Sequence, residues 1–267
     1  MLNRTVSEIV VAGLLEEMAK GVVPWGRPWL IIPKQNLTSK IPYRGINRLL
    51  LACDNENYYI TFNQAKELGG SIKAGAKARQ VIFWKLIEIH KEVEPDEHDT
   101  FPLLRYYRVF RLADTDGIER PVNGTEKPVV EPIEQFVGNT GAKIEFGGNH
   151  ACYNVAEDYI QLPEMARFES SDHYYCTLFH ELIHWSGHSS RLDRHNGDSF
   201  SAESYSKEEL VAEIGSAMLC QYFGINLLKH SASYISSWLK RLQSDNNLLV
   251  SAASRAEKGL AFLKVQV

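Results

Sequence analysis

Residues 174–187 read YYCTLFHELIHWSG. In an α-helix, residues four apart share a face, so His180 and His184 can aim both imidazoles at one point. Between them stands Glu181, a charged residue in a stretch that is otherwise mostly apolar, and a charge in such a place needs a reason. The spacing HExxH supplies one. Two histidines hold a metal ion, and the intervening carboxylate sits close enough to take a proton from a water that the metal activates. The pattern predicts a helix over 171–186, stopped by Gly187.

A third protein ligand has to come from elsewhere. A polar loop is expected over 187–205 and another helix over 206–223, which carries KEELVAEIG at 207–215. Glu209 and Glu213 lie four apart on one face of it. The pair of helices resembles that of the HExxH zinc peptidases, gluzincin-like in pattern. Many of those take a helical Glu as third ligand, and an acid four residues later orients a ligand histidine. The resemblance implies Glu209 on the metal and Glu213 behind it, and the reverse order stays open. Glu208, in the run Lys207-Glu208-Glu209, suits a solvated position at a helix start. His188 is an alternative ligand if the helix runs on through Gly187. Asp193 and His195 are weaker candidates. Tyr205 can serve as an electrophile that steadies an oxyanion, or as an aromatic contact at a helix start. Cys176, four before His180, fits the core.

Working outward, a short helix is expected over 132–138 and strands over 143–146, 151–155 and 158–162. Helices at 232–243 and 246–263 finish the chain. Strands followed by helices make this part α+β. Ahead of it, 4–20 has helical apolar spacing and 24–47 is loop-like, rich in Pro, Gly and Asn. A short helix is expected over 61–69 with Thr61 as N-cap. Strands should cover 79–90 and 104–112, flanking a charged loop at 91–102, with a linker over 113–132. The division expected is 1–127 and 128–267, two modest domains within 267 residues.

A composition 44% hydrophobic excludes a disordered chain. No window of about 18 apolar residues calls for a membrane span, and no secretory leader pattern opens the chain. Cys53, Cys152, Cys176 and Cys220 form no CxxC pair, which argues against a disulfide framework or a Cys-rich zinc site. Free thiols in a reducing cytoplasm are the expectation.

The net charge of −4 conceals an uneven distribution. Residues 1–87 hold 12 Lys/Arg against 6 Asp/Glu, 88–127 hold 6 against 10, and 128–267 hold 11 against 17. The basic first third interleaves aromatics with cations at Trp25, Arg27, Trp29, Lys34, Tyr43 and Arg44, then at Lys73, Lys77 and Arg79. Single-stranded nucleic acid is held in this way, by cations along the phosphates and rings beneath the bases. The plain alternative is aromatics in a core and a solvated basic face.

Joined, these motifs resemble the ArdC/TraC-type antirestriction family of plasmids and mobile elements. The resembling stretches are PWGRPW (24–29), PKQNLT (33–38), YRGIN (43–47), TFNQAKELGGSIKAG (61–75), YYRVF (106–110), HELIHWSGHSSRL (180–192) and YSKEELVAEIGSAML (205–219). Tyr59 departs from the family, which favours Trp there. The resemblance implies a small mixed α/β domain that binds single-stranded DNA, followed by a zincin-like domain with a short sheet and active-site helices. It implies one Zn²⁺ per chain, with other divalent transition metals possible, an unknown protein or peptide substrate, and protection of incoming plasmid DNA from restriction. Two alternatives belong to other classes. One is a non-enzymatic single-stranded-DNA-binding protein with a structural metal. The other is an accessory protein of conjugative transfer or priming.

Overall fold

The structure, a computed structural model, describes residues 12, 14–16, 18–21, 34–51, 56–90, 98–121, 132–194, 202–225 and 232–265. Its first part contains β1 (Gln35–Asn36), α1 (Ile46–Leu51), β2 (Tyr58–Ile60), α2 (Phe62–Glu67), β3 (Ser71–Ile72), β4 (Arg79–His90), β5 (His98–Arg111) and β6 (Thr115–Asp116). Four strands make one sheet in the order β1-β2-β5-β4, with β1 parallel to β2 and the other pairs antiparallel. β3 and β6 form a separate antiparallel pair. The long β4–β5 ladder follows from runs rich in β-branched and aromatic residues, VIFW and YYRVF. α2 starts at a capping box, with Thr61 and Gln64 satisfying each other's backbone N–H groups. α1 is tied to β4 through Asn47, whose side chain both donates to Ile82 O and accepts from Ile82 N, each at 2.7 Å.

The second part holds α3 (Ile133–Thr140), β7 (Ile144–Phe146), β8 (Cys152–Asn154), β9 (Tyr159–Leu162), α4 (Ser171–Ser186), α5 (Ala202–Tyr222), α6 (Ala232–Ser244) and α7 (Asn246–Phe262). Its sheet runs β7-β9-β8, with β7 parallel and β8 antiparallel to β9. Ser170 caps α4 by accepting from the His173 N–H, and Asp245 caps α7 by accepting from the Asn247 N–H.

α4 is the central element. Phe179, Leu182 and Ile183 are fully buried, packed with Leu210 and Ile214 of α5 and Leu249, Ala253 and Ala256 of α7. Gly215 makes a close crossing possible, because a Cβ there would stand 2.7 Å from Ile183 Cγ1. The same core takes in Leu14, Met18, Ile46, Leu49 and Ile82 from the first part. The chain therefore has two parts by architecture and one continuous apolar core across them. Smaller clusters, Leu37 with Ile60 and Leu112, and Tyr43 with Tyr59 and Val81, belong to the first part alone.

Several elements differ from the sequence-based expectation. β5 begins at His98, inside the expected charged loop, because it completes a ladder ending in His90↔His98. The expected linker starts later than residue 113. β6 pairs with β3, and Arg120 reaches back to Glu56 at 2.8 and 3.0 Å. Buried Glu56 also accepts from the N–H groups of Asn57, Tyr58 and Ala113. Burial opposes its ionisation, yet these donors outweigh that and hold its pKa below the ordinary value. α5 begins at Ala202 rather than 206. Within the stretch expected as loop, α1 starts at Ile46. No helix is long and apolar enough to cross a membrane among the described residues.

Candidate metal centre and nucleic-acid face

α4 and α5 lie side by side and bring three donors together. His180 Nε2 is 3.1 Å from His184 Nε2. Glu209 faces both, with Oε2 3.5 Å from His180 Nε2 and Oε1 3.4 Å from His184 Nε2. All ligand atoms of the three lie within 4.8 Å of one another. Two imidazole nitrogens and a carboxylate aimed at one spot can share a divalent cation, and without one a proton on His184 balances the carboxylate. The donor set N, N, O suits zinc and its divalent neighbours.

Behind His184 the residues form a charged relay. His184 Nδ1 lies 3.6 Å from Glu208 Oε1. Arg194 holds Glu208 through Nη2 at 2.8 Å and Nε at 3.2 Å, and also donates from Nη1 to Ser186 Oγ at 3.0 Å and from Nη2 to Ile183 O. Both partners are inside the protein, with side chains 12% and 5% exposed. Burial disfavours the charge on Glu208, but His184 and Arg194 prevail and hold its carboxyl down at about 2. Burial likewise works against a charged His184, and Glu208 and Glu209 push it up to about 9. Glu209 is held well below the carboxylate range by the two histidines despite burial.

Glu181 is buried at 7% exposure, on the helix that carries both histidines. Burial raises its pKa, opposed by His180, His184 and the Tyr153 backbone N–H, which bonds to its carboxylate. Tyr153 belongs to β8, so the short sheet fixes this carboxylate. Arg191 fastens the same sheet to the helix end. It reaches Asp158 at 2.9 Å, donates to Trp185 O at 2.6 Å and stacks 4.0 Å over the Trp185 ring.

The other candidates fall elsewhere. The helix ends at Ser186 with Gly187 as cap, so His188 turns to Ser190 Oγ at 2.8 Å and leaves the donor cluster. Glu213 faces the neighbourhood of Cys176 and is absent from the cluster. The acid against His184 is Glu208, the residue before Glu209 rather than four after it, because that turn of α5 meets Arg194. Asp193 is exposed, with a positive φ of 52°. His195 and the side chain of Tyr205 lie outside what is described.

In the first part, Trp25, Arg27 and Trp29 lie outside the described residues. Tyr43 is 7% exposed and sits in a core cluster. Lys34 donates to Glu56 O at 2.7 Å and lies 5.8 Å over the Tyr59 ring. Lys73 donates to Ala113 O at 2.9 Å. Arg44 and Lys77 are exposed and Arg79 is half-buried. An open aromatic surface lies on the β4–β5 ladder. Tyr59, Tyr43, Phe83 and Tyr107 make a chain of ring contacts at 5.9, 6.4 and 5.6 Å. Phe83 and Tyr107 are 46% and 43% exposed at its outer end. Exposed Arg105 stands directly opposite Phe83, and directly opposed residues share a face.

Comparison with known proteins adds the family context. Residues 4–110 match the N-terminal domain of anti-restriction factor ArdC, and residues 131–255 match a zincin-like metallopeptidase family. The crystal structure of the antirestriction ArdC protein from plasmid R388, metal-free, superimposes with a TM-score of 0.81 at 35% identity, covering 98% of this chain and 97% of that one. The Mn(II)-bound structure of the same protein gives 0.81 at 34% identity, with the same coverage. The DNA primase TraC of Escherichia coli is 34% identical over 284 residues, 94% of this chain. The chain spans only 26% of that primase.

Proposed function

This chain belongs to the ArdC antirestriction family, with an ArdC N-terminal domain ahead of a zincin-like metallopeptidase domain, and from that premise we propose that it grips single-stranded DNA and hydrolyses a peptide bond at a zinc centre. The observation that carries the peptidase reading is the convergence of His180, His184 and Glu209, with buried Glu181 on the same helix. Their donor set fits Zn²⁺. Mn(II) is a natural competitor, since the R388 protein has a Mn(II)-bound structure.

The ion, when bound, polarises a carbonyl and makes a nearby water more acidic. Glu181 takes the proton from the attacking water at its carboxylate and passes it to the leaving amine. Its burial suits that cycle by raising its proton affinity. The Tyr153 N–H keeps the carboxylate turned to one side. Glu208, steadied by Arg194, orients His184 from Nδ1 and leaves Nε2 directed at Glu209.

The division of labour is 1–127 for DNA and 128–267 for the metal. Phe83 and Tyr107 offer rings for bases, while Arg105, Arg44 and Lys77 meet phosphates. The cellular role is protection of incoming single strands from restriction. A second reading, accessory work in conjugative priming, draws on the alignment with TraC.

The deciding experiment is the antirestriction phenotype of Glu181→Gln in cells, beside binding of single strands by the purified full chain. Loss of protection with intact DNA binding supports the bifunctional reading. Full protection by the variant supports a binding protein with a structural metal. Binding should weaken as salt rises, because phosphate contacts release counterions.

A further inference from the structure

Outside the metal centre, the same two helices carry a second pair of reactive groups. Cys176 of α4 stands one turn before His180, and Cys220 of α5 lies three turns after Glu209. Their Sγ atoms are 3.0 Å apart. A disulfide needs roughly 2.05 Å, so closure asks for about 1 Å of side-chain movement. The backbones are already held at this level, since Ser216 Oγ donates to Cys176 O at 2.8 Å. Cys176 is half-buried, whereas Cys220 is buried.

We propose that Cys176 and Cys220 are a peroxide-oxidisable pair whose disulfide joins the two helices of the metal centre. A small peroxide reaches Cys176 first. The Cys176 thiolate attacks a peroxide oxygen and breaks the O–O bond, which gives a sulfenic acid and a first water. Cys220 then attacks the Cys176 sulfur and breaks the S–O bond. Its thiol proton leaves with the hydroxide as a second water. Two thiols and one hydrogen peroxide become one disulfide and two waters, with two electrons passing from sulfur to the peroxide. The hydrogen bond from Cys220 favours the Cys176 thiolate, while burial and the acids Asp172 and Glu213 oppose it. The cross-link ties the helix bearing His180 and His184 to the helix bearing Glu209. The inference concerns the thiols and holds whether or not the centre cleaves peptides.

The test is treatment of the full chain with stoichiometric hydrogen peroxide, followed by alkylation, peptide mapping and thermal melting. The expected result is a Cys176–Cys220 peptide, reversed by dithiothreitol, and a Tm of the metal-free protein raised by about 5 °C or more, because a cross-link restricts the unfolded chain. In Cys220→Ala the cross-link and the rise in Tm should vanish, leaving a sulfenic acid at Cys176 that a second equivalent of peroxide carries on to sulfinic acid. Cys176→Ser should likewise lose both, which keeps the test valid if the first variant folds poorly. Sulfinic acid at Cys176 of the wild type with Cys220 still open to alkylation would overturn the proposal. So would preferential pairing with Cys152, or a cross-link that lowers Tm.

Discussion

Replacing Glu208 by Ala should damage both the fold and the metal centre. The change leaves Arg194, 5% exposed, without its counter-charge. Breaking a buried pair from one side costs about 3–5 kcal/mol. Arg194 keeps Ser186 Oγ and Ile183 O as acceptors, so the lower end, about 3 kcal/mol, is expected in urea unfolding of the metal-free protein. His184 also loses the acid behind Nδ1, and such losses weaken metal binding roughly 10–100-fold. That titration belongs above pH 9, because Glu208 and Glu209 together raise His184 to about 9 and a proton competes with metal below it. At pH 7 the wild type should release about one proton from His184 on binding metal. Glu208→Gln, which keeps the volume but lowers the His184 pKa, should release fewer. An Ala variant within about 0.5 kcal/mol of wild type, the range of an ordinary surface change, with unaltered metal affinity, would refute the relay.

Three further outcomes follow from other parts of the molecule. Phe83→Ala and Tyr107→Ala should each weaken single-strand binding by roughly 5–100-fold, since stacking on one ring is worth about 1–3 kcal/mol. Phe146→Ala, on the other sheet and 61% exposed, should change it by less than about twofold, all read by fluorescence anisotropy. Gly215→Ala forces a methyl against Ile183 at 2.7 Å and should cost about 1–3 kcal/mol in thermal or chemical unfolding; an unchanged Tm would contradict the close helix crossing. Arg191 holds Asp158 at about 2, below its ordinary 3.8. A depressed carboxyl stabilises above the unfolded value and loses that contribution as pH falls through the folded one. Asp158 is 36% exposed, so the screened contribution is about 1 kcal/mol. Asp158→Asn should therefore be less stable than wild type at pH 6, and the gap should close as pH approaches 2.

The cluster of candidate ligands was legible because a helix turns chemical spacing into geometry. His180, His184 and Glu209 needed only the period of two helices and a resemblance to converge. Glu208 was obscured because a run of Lys, Glu and Glu near a helix start looks solvated. The partner that buries it, Arg194, comes from a loop whose path no local pattern records. Tyr43 fits a basic, aromatic run, yet the same composition serves a core, and packing against Tyr59 and Val81 decided for the core. Phe83 and Tyr107 went the other way. Their strands were expected, but which face stays open depends on what covers the sheet. α1 and β2 are too short for periodicity to show. The shared core across the two parts rests on contacts between distant residues such as Ile82 and the C-terminal helices.

The central claim is a metal held by His180, His184 and Glu209 with Glu181 as the base. The most direct measurement pairs elemental analysis with cleavage of a peptide library, for wild type and Glu181→Gln. About one divalent ion per chain should appear in both proteins, and new peptide termini should arise with wild type alone. A protein that carries no metal after loading, or a Glu181→Gln variant that still cuts, would contradict the account.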